Sequence, residues 1–282
     1  MAHCFFVTDL HGRTLRYNKL FSLITDELPS AIFFGGDLLP HRLRNTEGYS
    51  DFTLDFLFPQ FVKLKGLLKD KTPATFLILG NDDARSEECK FIKGHESGLF
   101  NYISQIKKQF IDFSVYGYPF VPPTPFHLKD WEKYDVSRYV DPGCIPPTEG
   151  FRTAELTDDI EYATIEQDLK SLTGDDDLSR AIFLFHSPPY HTLLDRASLD
   201  GKTIDHVPLD VHVGSIAIKR FIEERQPLIT LHGHIHESTR ITGHWKELIG
   251  KTFAFNGSHD GPELAVVKFN PENPSDSKRI LI

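Results

Sequence analysis

The chain has 282 residues, of which 40% are hydrophobic and 25% are charged, a balance typical of a globular protein with a sizeable core. This length suits one large α/β domain or two small ones. The formal net charge of −9 argues against a broad phosphate-binding surface for duplex nucleic acid. It does not exclude a small anionic substrate, because bound metal ions can reverse the local charge.

The cysteines and the N-terminal segment both bear on location. The chain has three cysteines, Cys4, Cys89 and Cys144. Their odd number, and a spacing unlike that of metal ligands, predict reduced thiols. The apolar run at residues 4–7 is too short for a signal peptide or a membrane span. We therefore expect a cytoplasmic protein that does not enter a membrane.

In the first half of the chain, predicted strands alternate with predicted helices. Apolar runs bounded by turn residues predict the strands, and apolar residues at three- and four-residue steps predict the helices. Pro29 ends the first helix. The predicted strands cover residues 4–9, 31–37 and 74–82, and the predicted helices cover 15–28, 52–68 and 86–109.

The second half is richer in predicted strands, with helices over 159–172 and 214–225. The stretch 119–150 is rich in proline and aromatic residues and is predicted to be an ordered loop. Within it, residues 121–131 are interpreted as a packed structural loop, with a substrate-facing rim or a recognition surface as the alternative. The strands are predicted over 111–120, 181–186, 228–236, 252–258 and 263–269. Without an internal repeat or a long linker, we expect one domain over residues 1–282.

Five of the predicted strands end in side chains that can bind a metal ion. The carboxyl ends of strands in an open α/β sheet converge on the ligand site, so these side chains are expected to meet. Each has a simpler interpretation as a cap, a turn residue or a structural histidine, but five such strand ends together favour a metal site. The residues are Asp9 with His11, Asp37, Asn81, His186, and His234 with His236.

The predicted ligands are carboxylate, amide oxygen and imidazole, without a thiolate. This set suits Mn²⁺, Fe or Zn²⁺. It exceeds the roughly four ligands of one tetrahedral centre, so two ions with a shared carboxylate are the better interpretation.

The motifs "DLH", "GGD", "GND", "FH" and "GHIH", in this order, resemble the calcineurin-like metallophosphoesterases. The resemblance runs from about residue 5 to residue 258, and it implies a four-layer α/β/β/α sandwich with two divalent ions. By the same resemblance, Asp37 would bridge the ions, a first ion would be held by Asp9, His11 and His236, and a second by Asn81, His186 and His234. The implied reaction is phosphoester hydrolysis by attack of metal-bound hydroxide.

Two positions depart from the family pattern. Asp82 stands where the family usually has a histidine that assists the leaving oxygen, and Pro40 stands where the family has the acid that supports that histidine. With a pKa near 4, Asp82 would be ionised at neutral pH and unable to donate a proton. We expect rates to fall steeply as the pKa of the leaving group rises.

Three interpretations of the proton donor remain open. Asp82 acts as a weak acid or holds a water molecule, while Asp83 orients its loop. Alternatively, a histidine reaches the leaving group from a loop, either His41 or one of His191, His206 and His212. In the third interpretation, catalysis rests on the metal ions alone.

The sequence thus favours a dinuclear metal-dependent phosphoesterase, with Asp82, Asn81 and His41 as candidate catalytic residues. The expected partner is a small phosphorylated substrate, a monoester or a diester, and a nucleic acid is disfavoured by the acidic balance. The alternative is a catalytically weak metal-binding scaffold or regulatory protein of the same fold.

Overall fold

The computed structural model describes residues 2–41, 48–155 and 159–282, which contain fourteen strands and six α-helices. The strands are β1 (Cys4–Val7), β2 (Ala31–Gly35), β3 (Ala74–Ile78), β4 (Asn101–Tyr102), β5 (Lys107–Phe110), β6 (Phe113–Tyr118), β7 (Ala181–Phe185), β8 (Thr203–Ile204), β9 (Val207–Pro208), β10 (Ile229–His232), β11 (Lys246–Ile249), β12 (Thr252–Asn256), β13 (Ala265–Phe269) and β14 (Lys278–Leu281). The helices are α1 (Thr14–Glu27), α2 (Phe58–Leu68), α3 (Glu88–Glu96), α4 (Ile165–Thr173), α5 (Ile216–Arg225) and α6 (Ser238–Thr242).

The strands form two six-stranded mixed sheets and one small hairpin. The first sheet has the order β14-β13-β1-β2-β3-β4, the second has the order β11-β12-β10-β7-β6-β5, and β8 pairs with β9. Strands β1 to β4 are parallel in the first sheet, as are β6, β7, β10 and β12 in the second. Antiparallel strands lie toward the edges of both sheets. Each sheet therefore gathers the carboxyl ends of its central strands at one edge.

Alternate residues of the buried strands face opposite layers, as the two-residue period of a strand requires. Phe6 of β1 packs in a core shared with Leu184 and Leu231 of the second sheet. Its neighbour Phe5 belongs instead to the core formed with the helices, which includes Tyr17 of α1. On the far side, Phe221 of α5 packs edge-on against β7. These contacts confirm the expected four-layer α/β/β/α sandwich.

The predicted helix over 86–109 is wrong beyond its first half. Helix α3 ends at Glu96, and Gly98 follows in the left-handed region with φ of +71°. The next residues form β4 and the edge strand β5, which pairs with β6. Glycine readily adopts this conformation, and it ends the helix before the chain turns into the sheets.

Two other predicted helices are present with different bounds. The segment 52–68 forms a π-helical turn, Phe52–Leu57, followed by α2. Pro59 lies at this boundary because it has no N–H to donate to the preceding turn. The helix predicted over 159–172 begins only at Ile165, where the Thr164 hydroxyl accepts a hydrogen bond from the Gln167 N–H.

Two observations concern the expected location. All three cysteines are free thiols, with Cys4 buried, Cys144 partly buried and Cys89 exposed. Across the described ranges, helices are too short or too polar to cross a bilayer.

Candidate metal centre

The seven predicted ligands come together between the carboxyl ends of the central strands. Asp9 and His11 follow β1, Asp37 follows β2 and Asn81 follows β3 in the first sheet. His186 follows β7, and His234 and His236 follow β10 in the second sheet. The site thus lies where the two sheets meet, and each sheet supplies part of it.

The carboxylate and imidazole groups form two clusters that share Asp37. The first contains Asp9, His11, Asp37 and His236, and the second contains Asp37, His186 and His234. Within each cluster the ligand atoms lie within 4.8 Å of one another. A shared carboxylate between two clusters is the arrangement expected of a bridging ligand.

The distances between donor atoms fit coordination of metal ions. His11 Nε2 lies 3.0 Å from His236 Nε2, which lies 3.3 Å from Asp9 Oδ1. His186 Nε2 lies 2.9 Å from Asn81 Oδ1 and 3.4 Å from Asp37 Oδ1. Two ligands at right angles, each about 2.1 Å from one ion, lie about 3 Å apart. Asn81 therefore belongs with the second cluster by distance.

Hydrogen bonds from neighbouring groups orient the predicted ligands. The Gly35 carbonyl lies 2.7 Å from His186 Nδ1, so this nitrogen donates and Nε2 is directed at the cluster. The Ser258 hydroxyl donates to Asp9 Oδ2 at 2.6 Å, and the Asp82 N–H donates to Asp37 Oδ1 at 2.8 Å. Hydrogen bonds thus hold predicted metal ligands of both clusters in position.

The backbone of the site is strained. Asp9, His11, Asp37 and His234 all have positive φ, from 46° to 72°, a region that Asp and His adopt more readily than most residues. At Gly80, a Cβ would collide with Asp37 and with the His186 ring. Strained conformations that persist at a cluster of polar groups are characteristic of functional sites.

The charges of the clusters support one another. Burial disfavours ionisation of Asp37, but the charge of His186, its hydrogen bond to Asp37 and the charge of His11 together outweigh burial and lower the pKa of Asp37 to about 2. Burial also opposes protonation of His186, yet Asp37 and Asp9 raise the His186 pKa to about 9. A proton on Nε2 is thus stabilised between Asn81 and Asp37. A divalent cation there would displace this proton, because the donor set is anionic and imidazole binds metals in its neutral form.

Asp82 lies beside the first cluster, with Oδ2 3.6 Å from His11 Nδ1. Burial and the negative charge of Asp37 raise the Asp82 pKa to about 7, which differs from the value near 4 expected from the sequence. Bound cations would shift this pKa in the opposite direction, because a positive charge stabilises a carboxylate.

Asp83 has the loop-orienting position that the sequence suggested. Its fully buried carboxylate accepts hydrogen bonds from the N–H groups of Leu38, Leu39 and Gly80. These bonds tie the loop after β2 to the loop after β3, and so fix Asp37 relative to Asn81. Pro40 packs against Gly12 instead of supporting a proton donor.

The four candidate histidines occupy different places. His41 is exposed and lines a separate cleft of about 300 Å³ with Asp51, Glu87 and Lys90. His206 is exposed in the turn between β8 and β9.

His212, by contrast, lines a cavity above the two clusters of predicted ligands, which is described below. Its Nδ1 lies 2.8 Å from Oδ1 of the fully buried Asp195, and the exposed His191 lies with its ring centroid 4.6 Å from that of His212.

Some residues in or near the candidate site were not singled out from the sequence. Ser258 lies just after β12, so the strand-end argument applied to "NGS" would have found it. Asp195 lies in a loop without a periodic pattern, and no sequence signal pairs it with His212. His232, the first histidine of "HGHIH", is buried and bonds the Ser187 carbonyl and the Thr230 hydroxyl, so its role is structural.

A cavity of about 670 Å³ opens directly above the clusters. Its floor includes Asp37, Asn81, Asp82, His234 and His236. Two loops form its sides. The first contributes residues 122–126 and 139–144, and the second contributes residues 197–214; we call these two loops the cavity wall. This volume is typical of a site for a small molecule.

The fold and the paired clusters define an α/β protein with a candidate two-metal site at the strand ends. Comparison with protein families shows that the chain belongs to the calcineurin-like phosphoesterase family, whose profile matches residues 3–238. The predicted family is therefore confirmed. It is a family of phosphoesterase-type hydrolases, it implies divalent metals, and this chain has candidate Asp/His groups that could hold them.

Individual relatives are more distant. An uncharacterized protein of Methanocaldococcus jannaschii is 34% identical over 100 residues, which are 35% of this chain and 40% of that protein, so the match spans less than half of the relative. One solved crystal structure has a TM-score of 0.59 at 15% identity, covering 99% of this chain and 98% of the other. The crystal structure of TT1561 of Thermus thermophilus has a TM-score of 0.56 at 14% identity, with the same coverage. These structures support the fold alone.

Proposed function

We propose that this protein is a dinuclear metal-dependent phosphoesterase that hydrolyses a small phosphomonoester or phosphodiester. The observation that carries the proposal is the Asp37 carboxylate, which is common to two clusters of metal-binding side chains. When bound, two divalent ions activate a water molecule and neutralise the charge that develops on a phosphoryl group. The donor set suits Mn²⁺, Fe or Zn²⁺.

The protein's own residues hold this site in place. Asp9, His11 and His236 would hold one ion, and Asn81, His186 and His234 the other. Ser258 and Gly35 fix the orientation of one ligand in each set. The substrate's phosphoryl group would lie at the floor of the cavity, with its organic group in the space between the two loops.

We infer that His212 donates the proton to the leaving oxygen in place of the histidine that Asp82 replaces. Asp195 accepts a hydrogen bond from His212 Nδ1, which leaves Nε2 for the cavity. A buried carboxylate that orients an imidazole in this way is a common feature of acid–base catalysis. Asp82 is a weaker candidate because cations next to it would keep it ionised, and His41 lines a different cleft.

The scaffold alternative has one observation in its favour, which is the departure at Asp82 and Pro40 from the family pattern. The pairing of His212 with Asp195 weighs against it, because it offers a different proton donor in the same cavity. Turnover separates the two functions, whereas metal binding does not.

The test loads the protein with Mn²⁺, Fe²⁺ or Zn²⁺ in turn, measures the ions bound per chain, and assays p-nitrophenyl phosphate and bis(p-nitrophenyl) phosphate. We expect two ions per chain and turnover that a chelator abolishes and metal restores. A protein that never holds more than one ion would contradict the dinuclear site. Two bound ions without turnover of either ester would favour the scaffold.

A further inference from the structure

The cavity above the clusters has a wall of unusual chemistry for a phosphoester site. Among the described residues that line it there is neither lysine nor arginine. The charged groups are acidic: Asp82, Asp141, Asp210 and Glu237 accompany the shared ligand Asp37. Apart from the proton that His212 is proposed to donate, any positive charge for the reacting phosphoryl group would therefore come from the ions at the floor. A second phosphate or carboxylate on the substrate would meet like charge without a counterion.

Most of the remaining wall is apolar. Five prolines lack a backbone N–H, and their rings present apolar faces. They are Pro122, Pro123, Pro125, Pro142 and Pro208. Aliphatic side chains extend this apolar lining: Ala197, Leu199, Ile204, Val207, Leu209 and Val213.

Two polar residues of the wall, Thr124 and Asp210, are already engaged in hydrogen bonds. The Thr124 N–H and hydroxyl both donate to Glu132. Asp210 accepts from the Tyr190 hydroxyl and from the His212 N–H. A sugar or a nucleobase needs donors as well as acceptors for its own polar groups. The carboxylates of the cavity are acceptors, so burying such a group here would leave its acceptor atoms with few side-chain partners. A hydrocarbon group carries no such cost.

The rim of the cavity exposes large apolar side chains to solvent. Phe126 and Tyr139 of the first loop are 58% and 69% exposed, and Ile204 and Val207 of the hairpin are 38% and 48% exposed. The two loops meet at this rim, since a Cβ at Gly143 would touch the Ile204 side chain. Apolar residues gathered at the mouth of a site are typical of ligand binding.

From this wall, we propose that the substrate is an amphiphile: a phosphoester whose organic group is an extended hydrocarbon chain without a second anionic group. The inference rests on the proposed function and names its substrate class. The reacting phosphoryl group lies at the floor, and the chain lies between the prolines of residues 122–126 and the β8–β9 hairpin.

The test uses p-nitrophenyl phosphodiesters whose second ester is methyl, butyl, hexyl or octyl, below their micelle concentrations. The leaving group and the reacting centre are constant, so differences in kcat/KM report the contact with the chain. Burial of each methylene is worth a factor of about three to four, and we expect at least a tenfold rise from methyl to hexyl, mainly through KM. A chain of the same length that ends in a carboxylate should lose most of the gain.

A matched pair of variants locates the contact. Ile204→Asp places a charge in the wall and should flatten the dependence on chain length. Val62→Asp introduces the same change on α2, outside the cavity, at a side chain that is 60% exposed. It should leave the dependence as in the wild type.

A binding measurement does not need turnover, so it distinguishes failure of the amphiphile proposal from failure of the proposed phosphoesterase function. Calorimetry with dimethyl, dibutyl and dihexyl phosphate on the metal-loaded protein should show affinity that rises with chain length, even in a scaffold that hydrolyses nothing. Flat affinity and flat kcat/KM would overturn the amphiphile while leaving the phosphoesterase intact. Preference for a nucleoside p-nitrophenyl phosphodiester over the octyl ester would overturn it as well.

Discussion

The floor and the wall of the cavity are built in opposite ways. The floor consists of side chains at the ends of central strands, held by hydrogen bonds and by strained backbone at Asp9, His11 and Asp37. The wall consists of two loops with apolar, partly exposed side chains. In the proposed function, the floor and His212 carry out the reaction, and the apolar residues of the wall select the organic group. Changes in the floor should therefore abolish turnover, whereas changes in the apolar wall residues should alter which substrates are preferred.

The largest effect is expected at the shared ligand. Asp37→Asn removes the negative charge that both clusters use, so both ions should bind weakly and turnover should fall to the detection limit. Metal analysis and an assay with bis(p-nitrophenyl) phosphate measure both quantities. His186→Ala, by comparison, should mainly empty the second cluster.

Asp141→Asn is the matched control for Asp37→Asn, because it makes the same change of charge in the wall. It should retain two ions per chain. If Asp37→Asn also retained two ions, the bridging role would be refuted, and circular dichroism would show whether the variant is folded.

The next largest effect depends on the leaving group. His212→Ala should slow esters of plain alcohols by about 10²- to 10⁴-fold, because an alkoxide needs a proton, and should hardly affect p-nitrophenyl esters. The measurement is the slope of log kcat against leaving-group pKa. Asp195→Asn should steepen the slope in the same direction, since it removes the charge that orients the imidazole.

His206→Ala controls for loss of a histidine from the same loop, as this residue is exposed in the β8–β9 turn. An unchanged slope in His212→Ala, together with a steeper one in Asp82→Asn, would make Asp82 the donor. If the slope were flat in the wild type and became steeper in His41→Ala, His41 would be the proton donor instead.

The floor was predictable from the sequence and the wall was not, for a physical reason. Strand ends in a parallel sheet converge whatever their side chains are, so buried runs that end in Asp9, Asp37 and Asn81 place these residues together. The two-residue alternation of β1 likewise predicts two packed faces. Loops have no such periodicity, and their placement depends on contacts that are distant in sequence.

The unpredicted parts follow from this difference. His212 meets Asp195 through loop contacts, and residues 122–126 meet the β8–β9 hairpin across the cavity. Residues 121–131 combine a packed end with an exposed one, because Trp131 is fully buried while Phe126 lies on the rim of the cavity, and a role toward substrate stays a prediction. Gly98 marks the end of α3 in the sequence, but the pairing of the following residues as β4 and β5 depends on distant contacts that helical spacing does not reveal.

A smaller effect on turnover is expected from the support of the floor. Ser258→Ala removes the hydroxyl that donates to Asp9 Oδ2, and should weaken metal binding by about 10- to 100-fold without changing the number of ions at saturation. A metal titration of activity measures this. Ser187→Ala, in which the lost hydroxyl donates to the Pro188 carbonyl, is the control. Equal metal affinities of the two variants would show that the Asp9 contact is dispensable.

The smallest effect on activity is expected at His232, where a substitution should change only the stability of the fold. Burial lowers the pKa of this histidine to about 4, whereas an unfolded chain takes up the proton near 6.5. Because the unfolded state binds the proton first, stability should fall as pH falls from 6.5 to 4, by about 3 kcal/mol in total. His232→Gln removes this titration, so it should lower the free energy of unfolding at pH 7.5 by about 1–3 kcal/mol, yet show a shallower loss on acidification. Urea unfolding of the metal-free protein between pH 7.5 and pH 4 gives both values, and the exposed His244→Gln serves as control. Parallel pH profiles for wild type and His232→Gln would mean that His232 does not contribute to acid lability, and that the pairs formed by Asp9 and Asp37 with their histidines account for it.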